Sequence, residues 1–129
     1  MKTILFSILI LFSINGFAFN WKKVGDSVNG NSYYVDVDNI KKHNGLVYYW
    51  SLVSLDDYLQ PLDGGIYSVI NKYKTDCGEE KHTRLNVTTY SQSMGRGKII
   101  TEDSLNEIHY VKPKTFAHIV MKFVCDRAE

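Results

Sequence analysis

Two cysteines, Cys77 and Cys125, stand 48 positions apart behind an N-terminal segment that reads as an export signal, and no other feature constrains the fold as much. Met1-Lys2-Thr3 is followed by the apolar run Ile4 to Phe12 and by Gly16-Phe17-Ala18, a small-x-small site that predicts cleavage before Phe19. The run is about half the roughly 20 residues needed to span a bilayer, which favours a removed signal over an anchor. Export delivers both cysteines to an oxidising compartment, where a disulfide persists. Neither stands in a Cys-x-x-Cys, so a metal site or a catalytic thiol is the weaker reading. Closing a loop of this length stabilises by about 4 kcal/mol.

No cysteine lies near the cleavage site to accept a lipid. The expectation is therefore an exported protein without a stable membrane anchor after signal cleavage, destined for the periplasm, the medium or the cell surface. Residues 1–18 form the signal and residues 19–129 a single domain, a size that leaves no room for two and makes a covalent staple valuable. The whole chain carries a net charge of +1, and removal of the signal takes away Lys2 and no acid. Such a balance exerts no general pull on polyanions, so nucleic acid is not an expected partner.

From Trp21 onward, runs rich in Tyr, Val, Ile and Thr alternate with Gly, Asn and Asp clusters. The predicted strands are Trp21 to Val24, Ser32 to Asp36, Leu46 to Ser54, Ile66 to Thr75 and Lys81 to Tyr90, with weaker ones at Lys98 to Thr101 and Glu107 to Tyr110. Turns at Asn29-Gly30, Asn44-Gly45, Gly64-Gly65 and Gly95-Arg96-Gly97 suggest an antiparallel meander. Between Lys81 and Tyr90, strict alternation places Leu85, Val87 and Thr89 on one face and Arg84, Asn86, Thr88 and Tyr90 on the other. After Pro113, expected in the first turn of a helix, Phe116, Ala117, Val120, Phe123 and Val124 recur at helical spacing. The fold class is thus α+β: an antiparallel meander of about six strands with one C-terminal helix packed on it and tied by the disulfide. Asp56 to Gly65, containing Pro61, reads as the longest loop.

Catalytic signatures are sparse. His43, His82, His109 and His118 have no ligand spacing, so no metal site is expected. Asp36 and Asp38, or Asp56 and Asp57, make conceivable carboxylate pairs, but Asp38-Asn39 reads better as a cap on a short helical turn over Ile40-Lys41-Lys42. No serine sits in Gly-x-Ser-x-Gly, and Gly95 and Gly97 suit a sharp bend better than a phosphate loop. Asn86-Val87-Thr88 matches the glycosylation sequon, which matters only in a glycosylating source. Neither catalytic residues nor a cofactor follow from these patterns.

The informative excess is nine tyrosines. Tyr33-Tyr34 and Tyr48-Tyr49 put one ring on each face of a strand, and Tyr combines contact area with a hydrogen-bonding tip. Lys72, Lys74, Lys81, Arg84, Arg96 and Lys98 supply a possible basic edge. Strand propensity and edge protection account for the same residues without a partner. The binding candidates are Tyr34, Tyr49, Lys72, Lys74, Arg84 and Arg96.

Asn31-Ser32-Tyr33-Tyr34-Val35-Asp36 running on to Ile40, Tyr67 to Lys74 leading into Cys77, Met94-Gly95-Arg96-Gly97, and Val111-Lys112-Pro113 before a segment ending in Cys125 together resemble the surface-adhesin protein E family of small exported bacterial proteins. The likeness spans nearly all of residues 19–129. It implies an antiparallel sheet with a disulfide-held C-terminal helix, and adhesion through host proteins such as vitronectin, laminin and plasminogen. Residues and resemblance together favour a non-enzymatic binding module for a protein or glycan partner, using exposed Tyr and Lys or a sheet edge. The alternative is a small envelope enzyme or ligand carrier whose groups converge only in the fold, for example His82 or His109 beside Asp36 or Asp76. A third reading, an enzyme inhibitor, requires a protruding loop at Leu59-Gln60-Pro61-Leu62.

Overall fold

The computed structural model describes residues 18–56 and 59–128, so the expected signal, apart from Ala18, lies outside the described residues. Seven strands form one antiparallel sheet: β1 (Trp21–Asp26), β2 (Asn31–Asp36), β3 (Lys41–His43), β4 (Leu46–Leu55), β5 (Ser68–Asp76), β6 (Lys81–Tyr90) and β7 (Ile99–Tyr110). Their order is β1-β2-β4-β5-β6-β7, with β3 paired to β4 off that path. Among the described residues one α-helix, α1 (Phe116–Arg127), follows the sheet, and the Cys77–Cys125 disulfide joins its last turn to the residue after β5. The α+β meander read from the sequence is the fold observed.

Local departures have local causes. The two weak C-terminal strands are one 12-residue strand, β7, paired with β6 from Lys81↔Tyr110 to Tyr90↔Ile99. Its middle, Glu102 to Asn106, is almost wholly exposed and poor in strand-forming side chains; ladder hydrogen bonds to β6 supply what propensity does not. The helical turn expected at Ile40 is absent, because Asp36 rather than Asp38 organises that corner. Its Oδ1 accepts from the Asn20 and Asp38 amides at 3.1 and 3.2 Å, and Asn39 Nδ2 donates to Oδ2 at 2.7 Å. The chain then passes directly into β3. Pro113 precedes the helix instead of opening it: Thr115 is the N-cap, its hydroxyl accepting from the His118 amide at 3.2 Å.

Strict alternation in β6 fails at a bulge. Lys72 pairs with Asn86 and Tyr73 with Arg84, leaving Leu85 unpaired. Leu85 consequently lines the same hollow as Asn86, Thr88 and Tyr90, not the face of Val87 and Thr89.

The helix covers one side of the sheet. Val35, Val47 and Tyr49 meet Val120 and Val124 there, and all five are buried. Burying a Val or Leu side chain is worth about 1.5–3 kcal/mol, so this cluster and the disulfide together hold α1 in place. On the opposite side, the turn Ser93–Gly95 folds down onto the sheet. Ser54 Oγ accepts from the Met94 amide at 2.8 Å, and Ser68 Oγ accepts from the Gly95 amide at 2.9 Å. Gly95 has φ 69°, and a Cβ there would stand 2.8 Å from Ile70 Cδ1, so the expected bend does require glycine.

Candidate functional site

On the helix-free side Leu52 and Ile70 are buried, while Tyr48, Trp50, Lys72 and Lys74 remain partly exposed to solvent. Strand pairing fixes the neighbours: Tyr48 lies opposite Lys74, Trp50 opposite Lys72 and Leu52 opposite Ile70. Lys72 Nζ sits 5.3 Å from the centre of the Trp50 ring, a cation–π arrangement. Phe19 stacks on Trp21 at 4.5 Å and meets Trp50 edge-on at 5.6 Å, so the segment just after the predicted cleavage point joins the aromatic platform.

Two open hollows flank this pair and share it. One, of about 590 Å³, is bounded by Asn39, Lys41, Lys42, His43, Tyr48 and the Trp50–Lys72 pair. The other, of about 490 Å³, runs over Ile70, Leu85, Thr88, Tyr90 and Glu102 to Phe19. Among the described residues, no carboxylate lies within ion-pairing distance of Lys41, Lys42 or Lys72. Aromatic rings beside uncompensated cations, in a groove open to solvent, suit recognition of a polar or acidic surface.

The six candidate residues do not form one site. Lys72 is at the centre of the face, and Lys74 stands next to it, opposite Tyr48. Tyr34 is on the same side, opposite Leu52, with Lys23 Nζ 5.8 Å from its ring centre. Tyr49 requires correction: it points to the helix side and is 1 % exposed, so its ring is core and no part of the helix-free face. Burial pushes its hydroxyl pKa well above the ordinary value. Arg84 also faces the helix side, donating to Glu107 at 3.1 Å. Arg96 lies in the covering turn, its guanidinium donating to the Ser93 carbonyl at 3.2 Å. Trp50 and Phe19 also belong to this face, although no sequence pattern points to them. The parity that buries Tyr49 turns Trp50 outward, a signal readable only once the core face of β4 is known.

The acid–base pairs imagined for an enzyme do not meet. Asp36 and Asp76 face the helix-free side, whereas His82, opposite Thr75, and His109, opposite His82, face the other. Asp36 organises the β2–β3 corner, and Asp76 Oδ1 accepts from the Glu79 amide at 3.1 Å. His82 is nearly buried against Tyr73, rings 4.6 Å apart; burial, then His109 and Arg84, push its pKa below the usual imidazole value. Glu107 is drawn below the usual carboxylate value by the His109 hydrogen bond at 2.8 Å and by Arg84. Among the described residues no three His, Cys, Asp or Glu side chains converge as metal ligands. The inhibitor-like loop is tied down as well, Tyr67 Oη donating to the Leu59 carbonyl at 2.8 Å and Leu62 bridging to Ile66.

The architecture defines a class: a small α+β domain with one sheet face covered by a disulfide-tied helix and the other only partly covered, by the Ser93–Gly95 turn. The chain belongs to the surface-adhesin protein E family, whose family model matches residues 21–126. It is similar to crystal structures of protein E from Haemophilus influenzae. Crystal form II gives a TM-score of 0.63 at 19 % identity, covering 86 % of this chain and 91 % of that one. The protein from a non-typeable strain gives 0.59 at 18 % identity, covering 87 % and 79 %. At such identities the likeness is one of fold. No curated protein matches the chain. Among the described residues no helix is long and apolar enough to cross a membrane.

Proposed function

We propose that this protein is an exported, non-enzymatic adhesin-like module that engages a protein or glycan partner through the helix-free face of its sheet. The observation that carries this reading is the pair of open hollows meeting at Trp50 and Lys72. Trp and Tyr platforms supply contact area with little loss of side-chain freedom, and the cations of Lys41, Lys42 and Lys72 favour acidic or sulfated groups over neutral ones. Membership of a surface-adhesin family supports the same role. Residues 1–18 act as the export signal on this reading, consistent with a domain stapled by a disulfide.

The test compares oxidised wild-type protein with a Trp50→Ala, Lys72→Ala double variant on an array of acidic and neutral glycans and on immobilised matrix proteins. The expected result is a specific partner bound by the wild type and weakened about tenfold or more in the variant, as loss of a central aromatic anchor implies. Equal binding by both, with the variant shown to be folded, removes this face from the function.

A further inference from the structure

A third cavity lies on the other side of the molecule, in the cleft between α1 and the sheet, and none of the binding residues of the helix-free face contributes to it. It measures about 110 Å³. Its walls are flat rings. Tyr33 stacks on Phe116 with centroids 4.2 Å apart, Tyr49 on Tyr73 at 5.5 Å, and Tyr73 on His82 at 4.6 Å. Ala117, exposed on the helix, stands at its rim, and its lining contains no Lys, Arg, Asp or Glu.

Two polar atoms of residues in this lining lack partners. Asn71 Oδ1 and His82 Nδ1 make no hydrogen bond, although Asn71 is 5 % and His82 9 % exposed. A buried polar group without a partner is costly, and such orphans mark places where something else supplies the bond. Burial favours the neutral imidazole of His82, and no ionised side chain in the lining offers a counter-charge to a charged guest.

We propose that this cleft binds a single uncharged hydroxylated aromatic ring, that is, a phenol. At about 110 Å³ the cleft is smaller than an engineered cavity of about 150 Å³ that encloses benzene, so a ring enters edge-first past exposed Ala117 and leaves part of itself in solvent. Ring faces on the walls favour stacking or edge contacts. A hydroxyl both donates and accepts, so it can satisfy an amide or a neutral imidazole as either requires. The phenol can come as a free small molecule or as a tyrosine side chain carried on a peptide.

The experiment titrates ¹⁵N-labelled oxidised protein with p-cresol, toluene and N-acetyl-tyrosinamide while amide shifts are followed by NMR. p-Cresol is expected to give saturable shifts at Asn71, His82 and Ala117, and toluene to bind about fivefold more weakly for want of one hydrogen bond. Asn71→Leu should weaken p-cresol by a similar factor. Ala117→Phe, at an exposed helix position where folding is not at stake, should block the rim and abolish the shifts. Binding of N-acetyl-tyrosinamide as well as p-cresol assigns the cleft to a tyrosine on a chain; p-cresol alone assigns it to free phenols. Absence of saturable shifts at these residues up to the solubility limit, toluene equal to p-cresol, or an Ala117→Phe variant that binds normally each overturns the proposal. None of these outcomes bears on the helix-free face.

Discussion

The ring of Tyr33 lies flat on the ring of Phe116, centroids 4.2 Å apart and planes 7° from parallel. Tyr33 belongs to β2 and Phe116 opens α1, so this stack locks the start of the helix onto the sheet while the disulfide locks its end. Gly25 in β1 leaves room for it: a Cβ there would stand 3.0 Å from Phe116 Cε1. Replacing Phe116 by Ala removes the stack and opens the cleft. An expected loss of about 2–3 kcal/mol, below the full range for a buried aromatic because Phe116 is only half-buried, is read from urea unfolding midpoints.

Loss of the disulfide should cost more. The 48-residue separation of Cys77 and Cys125 corresponds to about 4 kcal/mol of loop-closure entropy. A Cys77→Ser, Cys125→Ser variant is expected to unfold at far lower denaturant than the oxidised wild type and to match the wild type held in reductant. A difference under about 1 kcal/mol would show that the core cluster alone holds α1.

Tyr48 and Tyr49 are adjacent and should behave oppositely. Tyr49→Ala empties a site that is 1 % exposed and is expected to cost about 3–5 kcal/mol. Tyr48→Ala, on the open face, is expected to cost about 1 kcal/mol at most while weakening whatever partner the wild type binds. Thermal unfolding of both variants beside a binding assay separates the two roles.

His82 makes stability depend on pH. Its folded pKa lies below that of the unfolded chain, about 6.5, because it is buried against Tyr73 with His109 and Arg84 nearby; Glu107 opposes them only weakly. As pH falls below about 6.5 the unfolded state takes up a proton that folded His82 refuses, so stability declines until the folded pKa is reached, where this contribution levels off. His82→Gln should flatten the difference between unfolding midpoints at pH 7.5 and 5.5. An unchanged slope would place the pH dependence in other groups.

Much of this was legible in the chain. Period-2 runs of Tyr, Val, Ile and Thr between Gly and Asn turns predict the antiparallel meander because side-chain alternation and turn chemistry are local properties. The C-terminal helix and its tie to Cys77 follow from a 3.6-residue apolar period and an even cysteine count behind a segment that reads as an export signal. Lys72 and Lys74 are legible as cations on a Tyr-rich strand without the fold; their placement beside Trp50 and Tyr48 is not.

Tertiary structure decided the rest. Which of Tyr48 and Tyr49 faces the core depends on the side α1 packs against, and that is a contact between residues far apart in the chain. Leu85 changes face at a bulge that nothing in its neighbourhood announces, and β7 runs through Glu102 to Asn106 only because β6 offers its ladder. The segregation of His82 and His109 from Asp36 and Asp76 onto opposite faces, the platform uniting Phe19 with Trp50, and the orphaned Asn71 and His82 in the cleft all arise from pairing register. Local sequence sets which elements form; the register and the packing of one helix set which side chains meet, because those depend on long-range contacts that no window of sequence contains.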